Sequence, residues 1–571
     1  MYTFERIKKE IVKEVNGALG GKYIQASDLV YPPQKNMGDI SLPCFELARK
    51  LEKPAHKIAE DLIHEIKNEN FITGTKIVGP YLNITLDKVY LAQETLNEIQ
   101  KQNQDYGRQN KGNNKRVMIE YSNVNTHKEY HVGHLRNICF GDSVYRLLDA
   151  NGYDAIPISY VNDFGSHVAK TVWNYHIKKD HWEKQAGDKG YVLGLAYVDA
   201  CTEEKKNPTS KQEMELIMKK IESRKGDEYK LWQETRKWSI KYFDKIYQEL
   251  GVKFDHIFYE NEFVDDGKKI IKKWLKNNIL RESQGAVIAD LEKYNLGVLM
   301  FLRSDGTALY SVADIATITN RHKKYGLDKS IFVVDIRQSL HFKQVFKLLN
   351  LAGNVKEDRL IHLGYEFVKL PSGMMSSRSG NVITYEELRN QVIETTTQET
   401  KKRHEDWSED KIDKVAKKIA FGAIKFEMIK VSANQEIIFN INKALSLSGF
   451  TSAYLQYTGA RINSITKKSK IKNQKSKIDF KKLFEEKEHT LVLRLAKYPE
   501  AVIRAGEKYD PSEICRYLFE LAQEFNDYYH AVSILRAEKD IRLARLLLIS
   551  SVSQVLANGL GLLGIEAIDE M

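Results

Sequence analysis

Residues 116–161, RVMIEYSNVNTHKEYHVGHLRNICFGDSVYRLLDANGYDAIPISYV, decide the fold. The apolar run at 116–121 reads as a buried strand. A polar loop, 122–130, follows it. The spacing then predicts a helix from near Gly133, with Leu135, Ile138, Cys139, Gly141, Tyr145 and Leu148 as its apolar or small positions and Asn151-Gly152 as its stop signal. Residues 155–161 form a second strand. Strand, helix and strand within about 45 residues make a βαβ unit, which implies a parallel sheet. Two further buried strands, at 330–335 and 360–364, complete that sheet after a long charged segment. That segment, about 170–305 and mostly helical in pattern, reads as an insertion.

Outward from this core, residues 1–108 mix helix and strand. Phe4, Ile7, Ile11 and Val15 recur at helical spacing, and 77–84 reads as a strand broken by a turn. The polar stretch 100–115 reads as a linker. From 395 to 571 the pattern is helical almost throughout. The chain therefore divides into an N-terminal α+β domain (1–108), an α/β parallel-sheet domain (109–394) split by an insertion, and a C-terminal all-α bundle (395–571). Three or four domains also suit 571 residues.

Composition narrows the function. Lys and Arg number 88 against 77 Asp and Glu, a net charge of +11 that is compatible with a nucleic-acid partner. Cys44, Cys139, Cys201 and Cys515 lie far apart with no CxxC pair, which argues against a zinc ribbon or disulfide framework and for a reducing cytosol. No run approaches the about 20 apolar residues of a membrane span, and the N-terminus lacks an apolar leader. A cytoplasmic protein without a membrane partner is expected.

Two motifs carry chemistry. His131-Val132-Gly133-His134 opens the helix after the first strand. Free N–H groups and the dipole at a helix start attract phosphate, Gly133 allows close approach, and two histidines three apart share one face. Both histidines can donate to phosphoryl oxygens. A zinc pair fits less well, because helical zinc pairs use i,i+4 spacing and no third ligand lies near. The second motif, residues 374–381 (MMSSRSGN), follows a strand and a Pro371-Ser372-Gly373 turn and has the make-up of a loop able to wrap a polyphosphate.

Residues 120–136, EYSNVNTHKEYHVGHLR, resemble the first signature of class I aminoacyl-tRNA synthetases, written HIGH. Residues 375–381 are similar to their second signature, written KMSKS, in the form found in arginyl-tRNA synthetases. Blocks at 38–43, 162–165, 310–314, 338–342 and 454–465 match that family in order, so the resemblance spans nearly the whole chain. It implies a Rossmann-type catalytic domain that forms arginyl-adenylate from ATP, with Mg2+, and L-arginine. The arginyl group then passes to the 2′-hydroxyl of the terminal adenosine of tRNA-Arg, with activation dependent on bound tRNA. A monomer is implied as well.

By the same resemblance His131, Gly133, His134, Met375, Ser376, Ser377 and Arg378 bind ATP, and His131, His134, Lys128, Ser376 and Arg378 act in catalysis. Met374 and Ser377 stand where many class I enzymes carry lysines, and Lys128 is proposed to replace the missing loop cation. His167, Val124 and Glu129 also depart from the family pattern. Glu120, Asn125, Tyr310, Asp314 and Gln338 are placed around the arginine; two acids can meet one guanidinium and one α-ammonium, in either assignment. Tyr457, Ala460, Arg461, Tyr528, Tyr529 and Arg542 are expected to meet tRNA in the helical domain, with core packing as the equal alternative for Tyr528-Tyr529, and the N-terminal domain to meet the tRNA elbow. No protein-held metal is implied. A catalytically weak RNA-binding relative is the alternative.

Overall fold

The computed structural model describes residues 1–66, 70–369, 383–469 and 478–571. The N-terminal helix Thr3–Ala18 buries Phe4, Ile7, Ile11 and Val15. They share a core with an antiparallel sheet of β1 (Ile40–Pro43), β2 (Ile72–Val78) and β3 (Tyr81–Leu86), ordered β1-β3-β2. Gly79, at φ 57°, makes the turn between β2 and β3. This domain is fastened to the helical one through Asp39: Oδ2 accepts the Leu86 N–H at 2.8 Å, and Oδ1 meets His489 Nε2 at 2.9 Å.

The central sheet is built from β4 (Arg116–Glu120), β5 (Asp154–Val161), β6 (His256–Tyr259), β10 (Lys329–Asp335) and β11 (Leu360–Tyr365), all parallel, in the order β11-β10-β4-β5-β6. Between β6 and β10 stands a separate antiparallel sheet of β7 (Arg281–Ser283), β8 (Ala286–Asp290) and β9 (Val298–Leu302). Strand order reverses between β4 and β10, and a crevice opens there at the carboxyl ends, where ligands of such sheets bind. The stretch read as one insertion thus holds the fifth strand of the main sheet. β6 is four residues long and only partly buried, so it carries no apolar run that periodicity could detect.

Helix Val132–Ala150 crosses from β4 to β5. Gly141 lets it lie against the strand end, since a Cβ there would sit 2.2 Å from Tyr121 Cβ. The other side of this helix rests on the helical domain. Asn151 Nδ2 donates to the Val502 carbonyl at 3.0 Å, and Ser143 Oγ donates to the Leu562 carbonyl at 2.9 Å.

Helix Tyr385–Arg403, capped reciprocally by Thr384 and Glu387, runs straight through position 394 into the helical part. One described helix, Lys539–Leu562, is long and apolar enough to cross a membrane by length and composition. The expectation of no apolar stretch of membrane length is corrected to that extent. Lys539–Leu562 lies as a core helix: Leu548, Ile549, Val552 and Val555 are buried in the same core as helix Ser512–Ala531, and Arg545 pairs with Glu488 at 2.7 Å.

Candidate active site

The mouth of helix 132–150 is built by its own histidines. His131 is the N-cap, and its Nδ1 accepts the Gly133 N–H at 3.1 Å; His134 Nδ1 accepts the His131 N–H at 3.2 Å. Two of the free N–H groups of the helix start are satisfied this way. A ring nitrogen that accepts carries no proton, so in each neutral imidazole the proton sits on Nε2. Gly133 is needed for the fold-back: a Cβ there would lie 3.0 Å from His131 Cε1. Burial, then the charge of Lys128, lowers the His131 pKa to about 4. Burial, then His131 and Lys128, holds His134 well below the usual imidazole value. Both rings are therefore neutral Nε2–H donors at pH 7.

A cavity of about 1030 Å³ opens beside the ends of β4 and β5, and Glu120, Asn125, Tyr310, Asp314 and Gln338 all line it. The five residues expected around the arginine are thus brought to one cavity from separate stretches of the chain. Glu120 ends β4 and is ion-paired with Arg321. Burial raises its pKa, while Arg321 opposes that shift. Asp314 sits one helical turn after Tyr310 and meets His341 Nε2 at 2.7 Å; the Tyr310 ring lies 4.7 Å from that of His341. Asn125 is held by a parallel bridge to Asn162, and Gln338 closes the turn after β10.

A further acid on the wall, beside Glu120 and Asp314, has no signal in the sequence. Glu260 lines the same cavity, and burial, then the charges of Asp314 and Asp163, push its pKa up to about 8. It belongs to the short turn Glu260–Glu262 after β6, held from below by Asp163. Asp163 accepts the Asn261 backbone N–H at 3.0 Å and Arg236 Nε at 2.6 Å. An anionic wall whose Glu260 holds a proton at pH 7 is suited to a fixed cation, and above all to a planar guanidinium meeting two carboxyls at once.

Lys128 lies on the β4–helix loop with its Nζ 4.6 Å from the centre of the Tyr197 ring, on a smaller cavity of about 410 Å³. That cavity shares Ser166, His167, Lys170 and Glu204 with the large one. The preceding residue pins the loop. His127, at φ 62°, is buried with Nδ1 2.8 Å from Thr126 Oγ1 and Nε2 2.8 Å from Thr235 Oγ1. His167 is held neutral by burial, its pKa lowered to about 3, and its Nε2 sits 3.3 Å from the Asn162 carbonyl.

Met375, Ser376, Ser377 and Arg378 lie outside the described residues. The chain on either side of them is anchored on helix 132–150. Arg136 donates to the carbonyls of Glu366 and Phe367 at 2.6 and 3.1 Å, and His131 bridges Thr384.

In the helical domain Tyr457 and Arg461 stand together, the guanidinium 4.7 Å from the ring centre. Arg542 is partly buried and donates to the Leu535 carbonyl at 3.4 Å. Tyr528 corrects the sequence reading: it is 0% exposed, bonds Glu488 at 3.3 Å and has no face for a base. Its neighbour Tyr529, 38% exposed and 5.4 Å from the Arg461 guanidinium, offers that face instead.

Comparison with known proteins agrees with this geometry. Residues 95–441 match the catalytic domain of class I tRNA synthetases (R), residues 455–571 the DALR anticodon binding domain, and residues 5–86 the arginyl tRNA synthetase N terminal domain. The chain is 36% identical over 552 residues to the arginine–tRNA ligase of Bdellovibrio bacteriovorus, covering 95% of this chain and 94% of that one. It is 36% identical over 570 residues to that of Clostridium perfringens, covering 99% of each. The solved arginyl-tRNA synthetase of Thermus thermophilus superposes with a TM-score of 0.80 at 26% identity, over 99% of this chain and 100% of that one.

Proposed function

This chain belongs to the class I arginyl-tRNA synthetase family, and from that premise we propose that it joins L-arginine to tRNA-Arg in the cytosol. ATP enters as its Mg2+ complex, a substrate whose metal is held mainly by the phosphates. The arginine carboxylate attacks the α-phosphorus, pyrophosphate leaves, and the terminal adenosine 2′-hydroxyl then takes the arginyl group. No protein nucleophile is needed, so the chain's contribution is positioning and charge stabilisation.

Each residue has a role in that scheme. The Nε2–H groups of His131 and His134 donate to phosphoryl oxygens, and Lys128 supplies the cation that Met374 and Ser377 lack. Glu260 and Asp314 take the guanidinium, which they can grip with two acceptors. Glu120, Asn125 and Gln338 face the amino-acid end, and Tyr310 packs along the chain. Lysine lacks the fork, and leaving those carboxyls poorly paired costs several kcal/mol by order of magnitude. Residues 1–108 meet the tRNA elbow. Within 395–571, Tyr457, Arg461, Tyr529 and Arg542 meet the anticodon region. The protein acts as a monomer.

The observation that supports this most is that acids from β4, from the turn after β6 and from helix Tyr310–Tyr325 converge on one cavity at the carboxyl ends of β4 and β5. Amino-acid-dependent pyrophosphate exchange tests it. Exchange with arginine alone, and only when tRNA-Arg is present, is expected. Exchange with another amino acid overturns the assignment. Binding of tRNA without any exchange would make the chain an RNA-binding relative of the enzymes.

A further inference from the structure

The arginine cavity has a guanidinium of its own behind its wall. Arg321 lies on helix Tyr310–Tyr325, two turns beyond Asp314 and so on the same face. Its side chain is 3% exposed, and Nη1 donates to Glu120 Oε2. The guanidinium rests 4.2 Å from the centre of the Phe258 ring on β6 and 5.5 Å from that of Tyr160 on β5. Among the described residues its Nε and Nη2 meet no hydrogen-bond partner. A buried pair is weak evidence for stability, because the cost of desolvating both charges offsets their attraction. The pair is better explained by the cavity it borders.

Of the acids that line that cavity, Glu120, Glu260 and Asp314 stand together around Tyr160, and each could attract the head group of arginine. A substrate with a cation at both ends could then lie in two directions, only one of which puts its carboxylate beside the ATP. We propose that Arg321 is a positioning residue that fixes the direction of the bound arginine, by occupying Glu120 so that this carboxylate is closed to the substrate guanidinium. Of these three, Glu260 and Asp314 are then left to receive the fork, Asp314 through the oxygen that His341 does not engage. Glu120 keeps room for the compact ammonium, which needs a single acceptor. The groups facing Glu120 are Arg321 and Asp314 from one helix, Asn123 from the loop after β4, and Tyr160 from β5; Glu260 completes the charged ring around Tyr160. The inference rests on the arginine-activating reading above.

Pyrophosphate exchange on the full chain with saturating tRNA-Arg, inhibited by ethylguanidine, tests it. Ethylguanidine carries the fork and no α-ammonium. In the wild type it is expected to compete linearly with arginine, as one molecule at one site. In R321M the released Glu120 takes a second molecule, and the inhibition curves upward. In E120Q/R321M both charges leave together, inhibition is linear again, and its Ki stays within about threefold of the wild type while the KM for arginine rises at least about tenfold. A purely structural role would leave inhibition linear in R321M, and that result overturns the proposal. So does an ethylguanidine Ki that rises with the arginine KM in the double variant, since Glu120 would then hold the fork. If R321M does not fold, the double variant alone decides on that criterion. Wild-type exchange that does not depend on arginine would instead remove the reading beneath the proposal.

Discussion

His131 and His134 stack with 3.7 Å between ring centres and 23° between their planes. Two imidazolium charges at that distance would repel by about 4 kcal/mol at an effective dielectric constant near 20. The stack therefore forbids both rings to be charged at once, burial keeps each of them neutral, and the reciprocal caps turn both Nε2–H groups away from the helix. Replacing His134 by Ala removes one donor and one half of the cap. Adenylate formation should fall about 10²- to 10³-fold, with the KM for arginine changed far less. Single-turnover formation of arginyl-adenylate measures it, and an undiminished rate would exclude His134 from the transition state.

Lys128 stands beside those rings, close enough to depress both pKa values. If it offsets the loop lysine, Lys128→Ala should slow adenylate formation by about 10²-fold and leave tRNA affinity unchanged. Lys128→Arg, which keeps the charge, should recover most of the rate. A solvated surface lysine would give two variants alike and close to wild type in the same exchange assay.

Glu260 ties arginine binding to a proton. Its pKa of about 8 in the free protein must fall when a guanidinium lies against it, because the cation favours the charged carboxylate. Binding thus releases a proton below about pH 8, and arginine affinity should rise with pH from 6 to 8 and level off above. Calorimetry at pH 7 in two buffers of different ionisation enthalpy reads the release directly. In Glu260→Gln the buffer dependence should vanish and the arginine KM should climb at least about tenfold.

Buried neutral histidines set the acid limit of the fold. His127 and His167 are lowered to about 3, and His131 and His322 to about 4, mainly by burial. Unfolded histidine titrates near 6.5, so between about pH 6.5 and 4 the unfolded chain binds more protons than the native one. Stability is then complete above about pH 6.5 and falls on acidification through that window. Each such histidine contributes up to about 1.4 kcal/mol per pH unit there. Urea midpoints at pH 7, 6 and 5 should fall in turn, and a constant midpoint would contradict the burial of these rings.

What the sequence made legible follows from physics that is local. The β4–helix–β5 unit announces itself through apolar runs, a helical stripe and an Asn-Gly stop, and its phosphate-ready mouth lies inside it. Glu260 and Arg321 were hidden for the opposite reason. Glu260 sits in a Glu-Asn-Glu turn that reads as solvent-facing surface, and that turn is held through Asn261 by Asp163, nearly a hundred residues away in sequence. Arg321 sits in a basic helix end, Asn-Arg-His-Lys-Lys, where nothing marks the one cation that turns inward. Tyr528 and Tyr529 show the same limit at one-residue scale, since only the packing of helix Ser512–Ala531 decides which ring is covered.

The pairing of β4 with β10 has a consequence for the making of the protein. Arg116 N–H donates to Asp328 Oδ2 at 2.8 Å across 212 positions of chain, at the start of the two strands. At cellular translation speeds that interval lasts roughly 10 to 40 s. Through it, one edge of β4 leaves the ribosome with its amides and carbonyls waiting for a neighbour not yet synthesised. The helices of 166–249 emerge first, so the nascent chain has a folded flank beside an open strand. Chaperone engagement is most valuable in that interval, before residue 335 is made.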